Sequence, residues 1–127
     1  MIVGIGTDLA EISRFSRALA RHTPAKIAQR FLAESEVSAF LQASDPARFL
    51  AKNFAAKEAL AKASGHGVRP PLALNAIAVQ RDALGKPFFE FSPVLAAWFQ
   101  ARGVQSSHLS LSDEAGLVLA FVVLESN

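Results

Sequence analysis

Two carboxylates fifty positions apart, Asp8 and Glu58, are the residues from which chemistry in this chain has to start. Asp8 closes the Gly-rich segment Ile2-Val3-Gly4-Ile5-Gly6-Thr7-Asp8, and Glu58 lies inside the Ala-rich run from Phe54 to Ala63. A carboxylate set among apolar neighbours is costly unless it is paired or bound to a cation. Two of them, with Lys57 and Lys62 alongside, point to a hard metal ion and a phosphate-bearing ligand. Magnesium suits such a place, because it accepts one or two carboxylates and keeps its other positions for water and phosphate oxygens. Glu58 and Lys62 also have the spacing of an ordinary exposed i,i+4 pair, worth about 0.3–0.5 kcal/mol. The metal reading therefore depends on Asp8 lying opposite Glu58, where two negative charges repel strongly unless a cation sits between them.

The remaining polar residues add pieces. Alternation along a strand puts His108, Ser110 and Ser112 on one face, which suits a phosphate or ribose as well as a structural histidine. His22 falls at a helix end and His66 in a loop between Gly65 and Gly67. No two histidines have metal-ligand spacing, so a zinc site is not expected. Gly4-Ile5-Gly6 lacks the third glycine of a dinucleotide fingerprint, and no Gly-x-x-x-x-Gly-Lys-Ser/Thr sequence occurs. Holding a phosphate falls to Lys57, Lys62, the turn Gly65-His66-Gly67 and the segment Gly85-Lys86-Pro87.

These residues need elements to carry them. Residues 2–9 read as a strand with Gly4, Gly6 and Asp8 on one face, and the bare glycines admit either a ligand or a tightly packed helix. From Glu11 to Arg21 the period turns helical, with Ile12, Phe15 and Leu19 on one side and Arg14, Arg17 and Arg21 on the other. A second helix starts at Pro24 and runs toward Leu32, and a short one covers Glu34 to Leu41. Pro46 to Ser64 forms the longest helix, capped by Ser44 or Asp45 and ended by Gly65. Strands follow near Asn75–Gln80 and Phe88–Phe91, then a helix from Ser92 to Arg102. A hairpin of Ser107–Asp113 and Leu117–Leu124 turns at Glu114-Ala115-Gly116. The last strand is apolar on both faces and calls for cover on both, by the chain's own helices before another subunit.

Composition sets bounds around this. The chain has 127 residues, 51% of them hydrophobic, enough for one folded domain spanning 1–127. There is no cysteine, so disulfides, thiolate nucleophiles and Cys-ligated metals are excluded. No apolar run has the length of a membrane span, and a cytoplasmic location is the default. The formal charge is only +2, but seven of the thirteen basic residues fall between Arg14 and Lys52, which makes an acidic partner plausible.

Taken together, the segments resemble the holo-acyl-carrier-protein synthase family, the small bacterial phosphopantetheinyl transferases. The resemblance covers nearly the whole chain. It rests on Gly4-Ile5-Gly6-Thr7-Asp8-Leu9 with Glu11 and Arg14, on Phe49-Leu50-Ala51, Phe54-Ala55-Ala56-Lys57-Glu58-Ala59 and Lys62-Ala63, on Gly65-x-Gly67, on Gly85-Lys86-Pro87, and on His108-Leu109-Ser110-Leu111-Ser112 with Glu125 at the close. It implies an α+β fold, a small mostly antiparallel sheet packed with helices, with a sheet face buried in a homotrimer. It also implies transfer of the 4′-phosphopantetheine arm of coenzyme A to a serine of apo acyl carrier protein in fatty-acid biosynthesis, releasing adenosine 3′,5′-bisphosphate. Asp8 and Glu58 would hold magnesium, with Lys62 as a clamp on the pyrophosphate. Lys57, Gly65, His66, Gly67, Lys86, Pro87, His108 and Ser110 would line the coenzyme A site, and Arg14, Arg17 and Arg21 would dock the carrier's acidic helix. In the trimer, Asp8 and His108 would come from one subunit and Glu58 from its neighbour, or the reverse. Asn53 and His66 depart from a pattern that often has Arg and Thr. An Arg at 53 is a natural partner for a 3′-phosphate, and Arg48, Lys52 or Lys86 are the candidates to replace it.

Two other classes fit part of the sequence. A non-catalytic module binding acidic proteins through the arginine face leaves Asp8 and Glu58 without a task. A magnesium-dependent phosphohydrolase would release product without a carrier protein. Nucleic-acid binding is disfavoured by near-neutral net charge, the absence of Tyr, and no aromatic stripe interleaved with Lys or Arg.

Overall fold

The long helix and the Gly-rich strand are built against each other, as a computed structural model of residues 1–127 describes. The strand is β1 (Ile2–Glu11) and runs directly into α1 (Ile12–Arg21). Then follow α2 (Pro24–Phe31), a turn of 3-10 helix (Glu34–Glu36) leading into α3 (Val37–Gln42), and α4 (Pro46–Ser64). Asp45 caps α4 by accepting the Arg48 N–H, Pro46 opens its first turn, and Gly65 ends it in the left-handed region at φ 75°. The rest of the chain gives β2 (Ile77–Arg81), β3 (Pro87–Phe91), α5 (Pro93–Ala101), β4 (Ser106–Glu114) and β5 (Leu117–Glu125).

Two antiparallel sheets result, β1-β5-β4 and β2-β3. The α+β architecture expected from the sequence is the one found. The expected strand at 75–80 begins two residues later, because Leu74–Ala76 winds into a 3-10 turn and the buried extended run starts only at Ile77.

In the larger sheet, Asp8 pairs with Ala120 and Thr7 with Phe121, while Ser110 pairs with Phe121 and His108 with Val123. One face, bearing Ala10, Leu109, Val118, Ala120 and Val122, is buried in the core with α4. The other face is not covered by any helix of the chain. Ile5 is 62% exposed there, Leu9 66%, and Leu117, Leu119 and Phe121 each 42%. The expectation that the chain's own helices cover both sides of the last strand is thus corrected. Helix α4 packs on the opposite side, because β1 presents Gly4, Gly6 and Ala10 there and the glycines admit the helix backbone.

The two glycines decide how close that approach is. A Cβ built on Gly6 would stand 2.0 Å from the Ala59 carbonyl oxygen, and one on Gly4 would stand 2.0 Å from that of Ala63. Gly4 and Gly6 therefore admit the backbone of α4, not a ligand. Around α4, the rings of Phe15, Phe31 and Phe54 meet at centroid distances of 5.4–5.9 Å and pack α1 and α2 onto it.

Candidate active site

Asp8 follows Gly6 on the face turned toward α4, so the packing that brings Ala59 onto Gly6 also brings the side chains of Glu58 and Lys62 to Asp8. Lys62 Nζ donates to Asp8 Oδ1 at 3.2 Å. Asp8 is 15% exposed and Lys62 57%, which makes a half-sheltered carboxylate with a cation reaching over it from solvent. Glu58 is partly buried beside them. Its burial, and after that the charge of Asp8, hold its carboxyl above the usual carboxylate range, while Lys62 and Arg14 pull the other way. The sequence left open whether Glu58 and Lys62 were a simple surface pair. In the fold, Lys62 turns to Asp8, and Glu58 is left as the second carboxylate of a like-charged pair.

No cluster of three or more histidines and acids occurs anywhere in the chain. The donor set at this place is two carboxylates, hard oxygen ligands without imidazole or thiolate. That set fits magnesium, which takes one or two protein carboxylates and completes its shell with water and phosphate oxygens.

Above the pair lies a basic surface. Arg14 extends along Phe54, its guanidinium 4.8 Å from the ring centroid, so it stands between the carboxylates and α1. Arg17 and Arg21 are exposed on α1. A groove of about 480 Å³ between α1 and α2 continues the basic surface with Lys26 and Arg30 around a floor of Ala18, Ile27 and Phe31. Lys26 and Arg30 were not singled out in the sequence, because only the packing of α2 beside α1 adds them to the same patch.

The fold and this geometry agree with comparisons to known proteins. The chain matches the family model described as the 4′-phosphopantetheinyl transferase superfamily over residues 4–122. This chain belongs to that superfamily. It is 62% identical over 125 residues to a holo-(acyl-carrier-protein) synthase of Laribacter hongkongensis, covering 98% of this chain and 99% of the relative. The crystal structure of the holo-(acyl-carrier-protein) synthase from Neisseria meningitidis superposes with a TM-score of 0.94 at 45% identity, covering 99% of this chain and all of that one. The Bacillus anthracis synthase, solved in complex with coenzyme A (3′,5′-ADP), superposes with a TM-score of 0.82 at 35% identity, covering 100% and 99% of the two chains.

Within this transferase, several residues expected at the site lie elsewhere or are otherwise engaged. Lys57 is the clearest correction. It is completely buried and its ammonium is taken up by the Phe31 and Leu74 carbonyls and by Glu36, so it cannot reach a phosphate. Helical geometry explains this, since Lys57 and Glu58 are successive residues and point about 100° apart.

Asn53 is also buried, with its amide donating to Glu36 at 2.6 Å, and an Arg there would be directed into the core. Among its suggested replacements, Arg48 and Lys52 both bond to Asp113, at 2.7 and 3.4 Å, and Arg48 also bonds to Asp45. Only Lys86 is free of a carboxylate partner.

The turn Gly65-His66-Gly67 spends its amides on closing α4. Gly65 N–H donates to Lys62 O, Gly67 N–H to Ala61 O, and His66 N–H to Ser64 Oγ. The His66 ring packs on Trp98 at a centroid distance of 5.0 Å and bonds to the Pro70 carbonyl. No main-chain nest is left to hold a phosphate there, although the surface over both glycines is open. In Gly85-Lys86-Pro87, the amides of Leu84 and Lys86 donate to the Asp82 carboxylate and leave the Lys86 side chain as the group on offer.

His108 and Ser110 lie on the uncovered face of the sheet, opposite to Asp8, with His108 Nε2 at 2.5 Å from Glu125. Asp8 and Glu58 come from one chain. The expected division of those two carboxylates between neighbouring subunits is corrected, since Gly6 seats their own α4 against their own β1.

Proposed function

We propose that residues 1–127 act as a single phosphopantetheinyl transferase unit that moves the 4′-phosphopantetheine arm of coenzyme A onto a serine of apo acyl carrier protein. The observation that carries the reading is the pairing of Asp8 and Glu58 in one half-sheltered site with Lys62 reaching over Asp8. In the reaction the serine oxygen bonds to the phosphorus next to pantetheine, and the bond from that phosphorus to the bridging oxygen breaks. The serine loses its proton and adenosine 3′,5′-bisphosphate leaves.

Asp8 and Glu58 are the residues that would hold magnesium. When bound, the ion would withdraw charge from the phosphoryl oxygens and the leaving group. Lys62, 57% exposed, is placed to swing from Asp8 onto a pyrophosphate oxygen. Arg14 fixes the edge of Phe54 and adds positive potential over the same oxygens. Lys86 remains as the cation for an outer phosphate.

Arg14, Arg17 and Arg21 on α1 offer the surface for the carrier's acidic helix, and Arg14 adjoins the groove where Lys26 and Arg30 stand over an apolar floor. The uncovered face of Ile5, Leu9, Leu117, Leu119 and Phe121 supports association of copies into a homotrimer. His108 and Ser110 sit at the margin of that face and would serve a neighbouring subunit's coenzyme A rather than their own. No helix is long and apolar enough to cross a membrane.

Intact-protein mass spectrometry of apo carrier protein incubated with the chain, coenzyme A and magnesium tests the reading. A gain of one phosphopantetheine arm, lost with chelator and in Asp8→Asn, is expected. Free adenosine 3′,5′-bisphosphate formed without carrier would instead indicate a phosphohydrolase.

A further inference from the structure

Glu36 and Lys57 are both 0% exposed, and all their polar atoms are used. Lys57 Nζ donates to the Phe31 carbonyl at 2.8 Å, the Leu74 carbonyl at 3.0 Å and Glu36 Oε1 at 2.5 Å. Glu36 Oε1 also accepts the Ala33 N–H at 2.8 Å, and its Oε2 accepts Asn53 Nδ2 at 2.6 Å and the Val79 N–H at 2.9 Å. The node ties together the end of α2, the 3-10 turn before α3, two successive turns of α4, the turn before β2, and β2 itself.

A buried ion pair of this kind adds little net stability, because the desolvation of both charges offsets their attraction. What it contributes is direction. The face of α4 toward β1 rests backbone on backbone, Ala59 against Gly6 and Ala63 against Gly4, and the one ion pair across it, Lys62 with Asp8, is open to solvent on the lysine side. Apart from the Phe54 ring against Phe15 and Phe31, the large apolar contacts of α4, at Leu50 and Leu60, are non-directional and tolerate small rotations. Turning a helix by about 10° moves a carboxylate about 6 Å from its axis by about 1 Å. Magnesium holds its oxygens in a near-ideal octahedron, and a site is productive only within about 0.5 Å of its geometry. Lys57 immediately precedes Glu58, so whatever fixes Lys57 fixes where Glu58 points.

We propose that the Glu36–Lys57–Asn53 node is a positioning device for the metal site, setting the rotation of α4 so that Glu58 faces Asp8. This rests on the reading of Asp8 and Glu58 as magnesium ligands. Neither Glu36 nor Asn53 touches the site, and their effect passes entirely through the helix.

The test is direct metal binding, using manganese as the magnesium probe and following free ion by electron paramagnetic resonance, with thermal melting in parallel. Full-length wild type is compared with Glu36→Gln, the double variant Glu36→Gln/Lys57→Met, Asn53→Ala and Asp8→Asn. Glu36→Gln strands a buried charge and melts well below wild type. Removing both charges in the double variant recovers most of that loss, yet its manganese dissociation constant stays raised at least tenfold. Asn53→Ala, which leaves the ion pair in place, raises it about threefold with the smallest change in melting. A double variant and an Asn53→Ala chain that bind manganese as wild type does would overturn the proposal, and if the double variant does not fold, Asn53→Ala alone decides. Wild-type binding by Asp8→Asn would overturn the metal-site reading itself, and is distinguished because it appears whatever the Glu36 variants do.

Discussion

Replacing Gly6 with alanine adds one methyl group and should disable the site. The new Cβ would lie 2.0 Å from the Ala59 carbonyl oxygen and 2.6 Å from the Ala63 nitrogen. Both are backbone atoms of α4, so neither can swing aside as a side chain could. Reaching the 3.0 Å below which real Cβ contacts essentially never fall requires β1 and α4 to part by at least 1.0 Å. Overpacking of this sort costs typically about 1–3 kcal/mol, and contact with two rigid atoms puts it at the upper end. The lower entropy of an unfolded alanine returns about 0.4–1 kcal/mol, leaving a net loss of about 2 kcal/mol. A domain of this size loses about 4 °C of melting temperature per kcal/mol, so a fall of about 8 °C is expected. The functional effect should exceed the stability effect. Separation of the elements stretches the 3.2 Å bond from Lys62 to Asp8 to about 4 Å, outside hydrogen-bonding range, and moves Glu58 with it. Differential scanning fluorimetry and the rate of carrier modification, measured well below the melting point, give the two readouts, and at least tenfold loss of rate is expected. Because the struck atom is a carbonyl oxygen, adding Ala59→Gly to the same chain should restore neither. A Gly6→Ala chain melting within 2 °C of wild type and working within twofold would refute the reasoning.

Other expectations follow from separate parts of the structure. Arg17→Glu or Arg21→Glu should raise KM for carrier protein several-fold with that for coenzyme A unchanged, and wild-type KM for carrier should climb with salt. Arg14 is a poorer probe of docking because it also acts on Glu58. Magnesium should raise the melting temperature of wild type at neutral pH and leave Asp8→Asn and Glu58→Gln unmoved, as fluorimetry with and without chelator will report. In the metal-free protein, the raised carboxyl of Glu58 binds its proton more tightly folded than unfolded. Its stabilising contribution is complete below the ordinary carboxylate value and is lost as pH rises through the folded one. Glu58→Gln should flatten that part of the pH–melting profile, and an unchanged profile would contradict the burial of this carboxylate. Phe121→Arg, a charge set in the middle of the uncovered sheet face, should give monomers by sedimentation velocity and abolish transfer.

The chemistry was legible in residue types and their spacing. A carboxylate following the glycines of a strand, another in an Ala-rich helix, capping residues at Asp45 and Gly65, and alternation through β4 are local signals, and local physics settles them wherever the chain folds. Direction in space was not legible. Lys57 and Lys62 carry the same charge on the same helix, and only the rotation of α4 buries one on Glu36 and leaves the other over Asp8. Periodicity gave no warning, because an Ala-rich helix has a weak hydrophobic contrast around its circumference and several faces look equally inward. Glu36 gave none either, since a carboxylate becomes a buried anchor only when groups from β2, α4 and the backbone at Ala33 converge on it. The glycines of β1 were compatible with a ligand or a helix, and α4 excluded the first by lying so close that a Cβ on either would fall 2.0 Å from a helix carbonyl oxygen. Residue types and local pattern were therefore enough to say which groups exist and which element carries each. Which of them meet was decided by the tertiary structure, because burial and long-range pairing depend on residues far apart in the chain arriving at the same place.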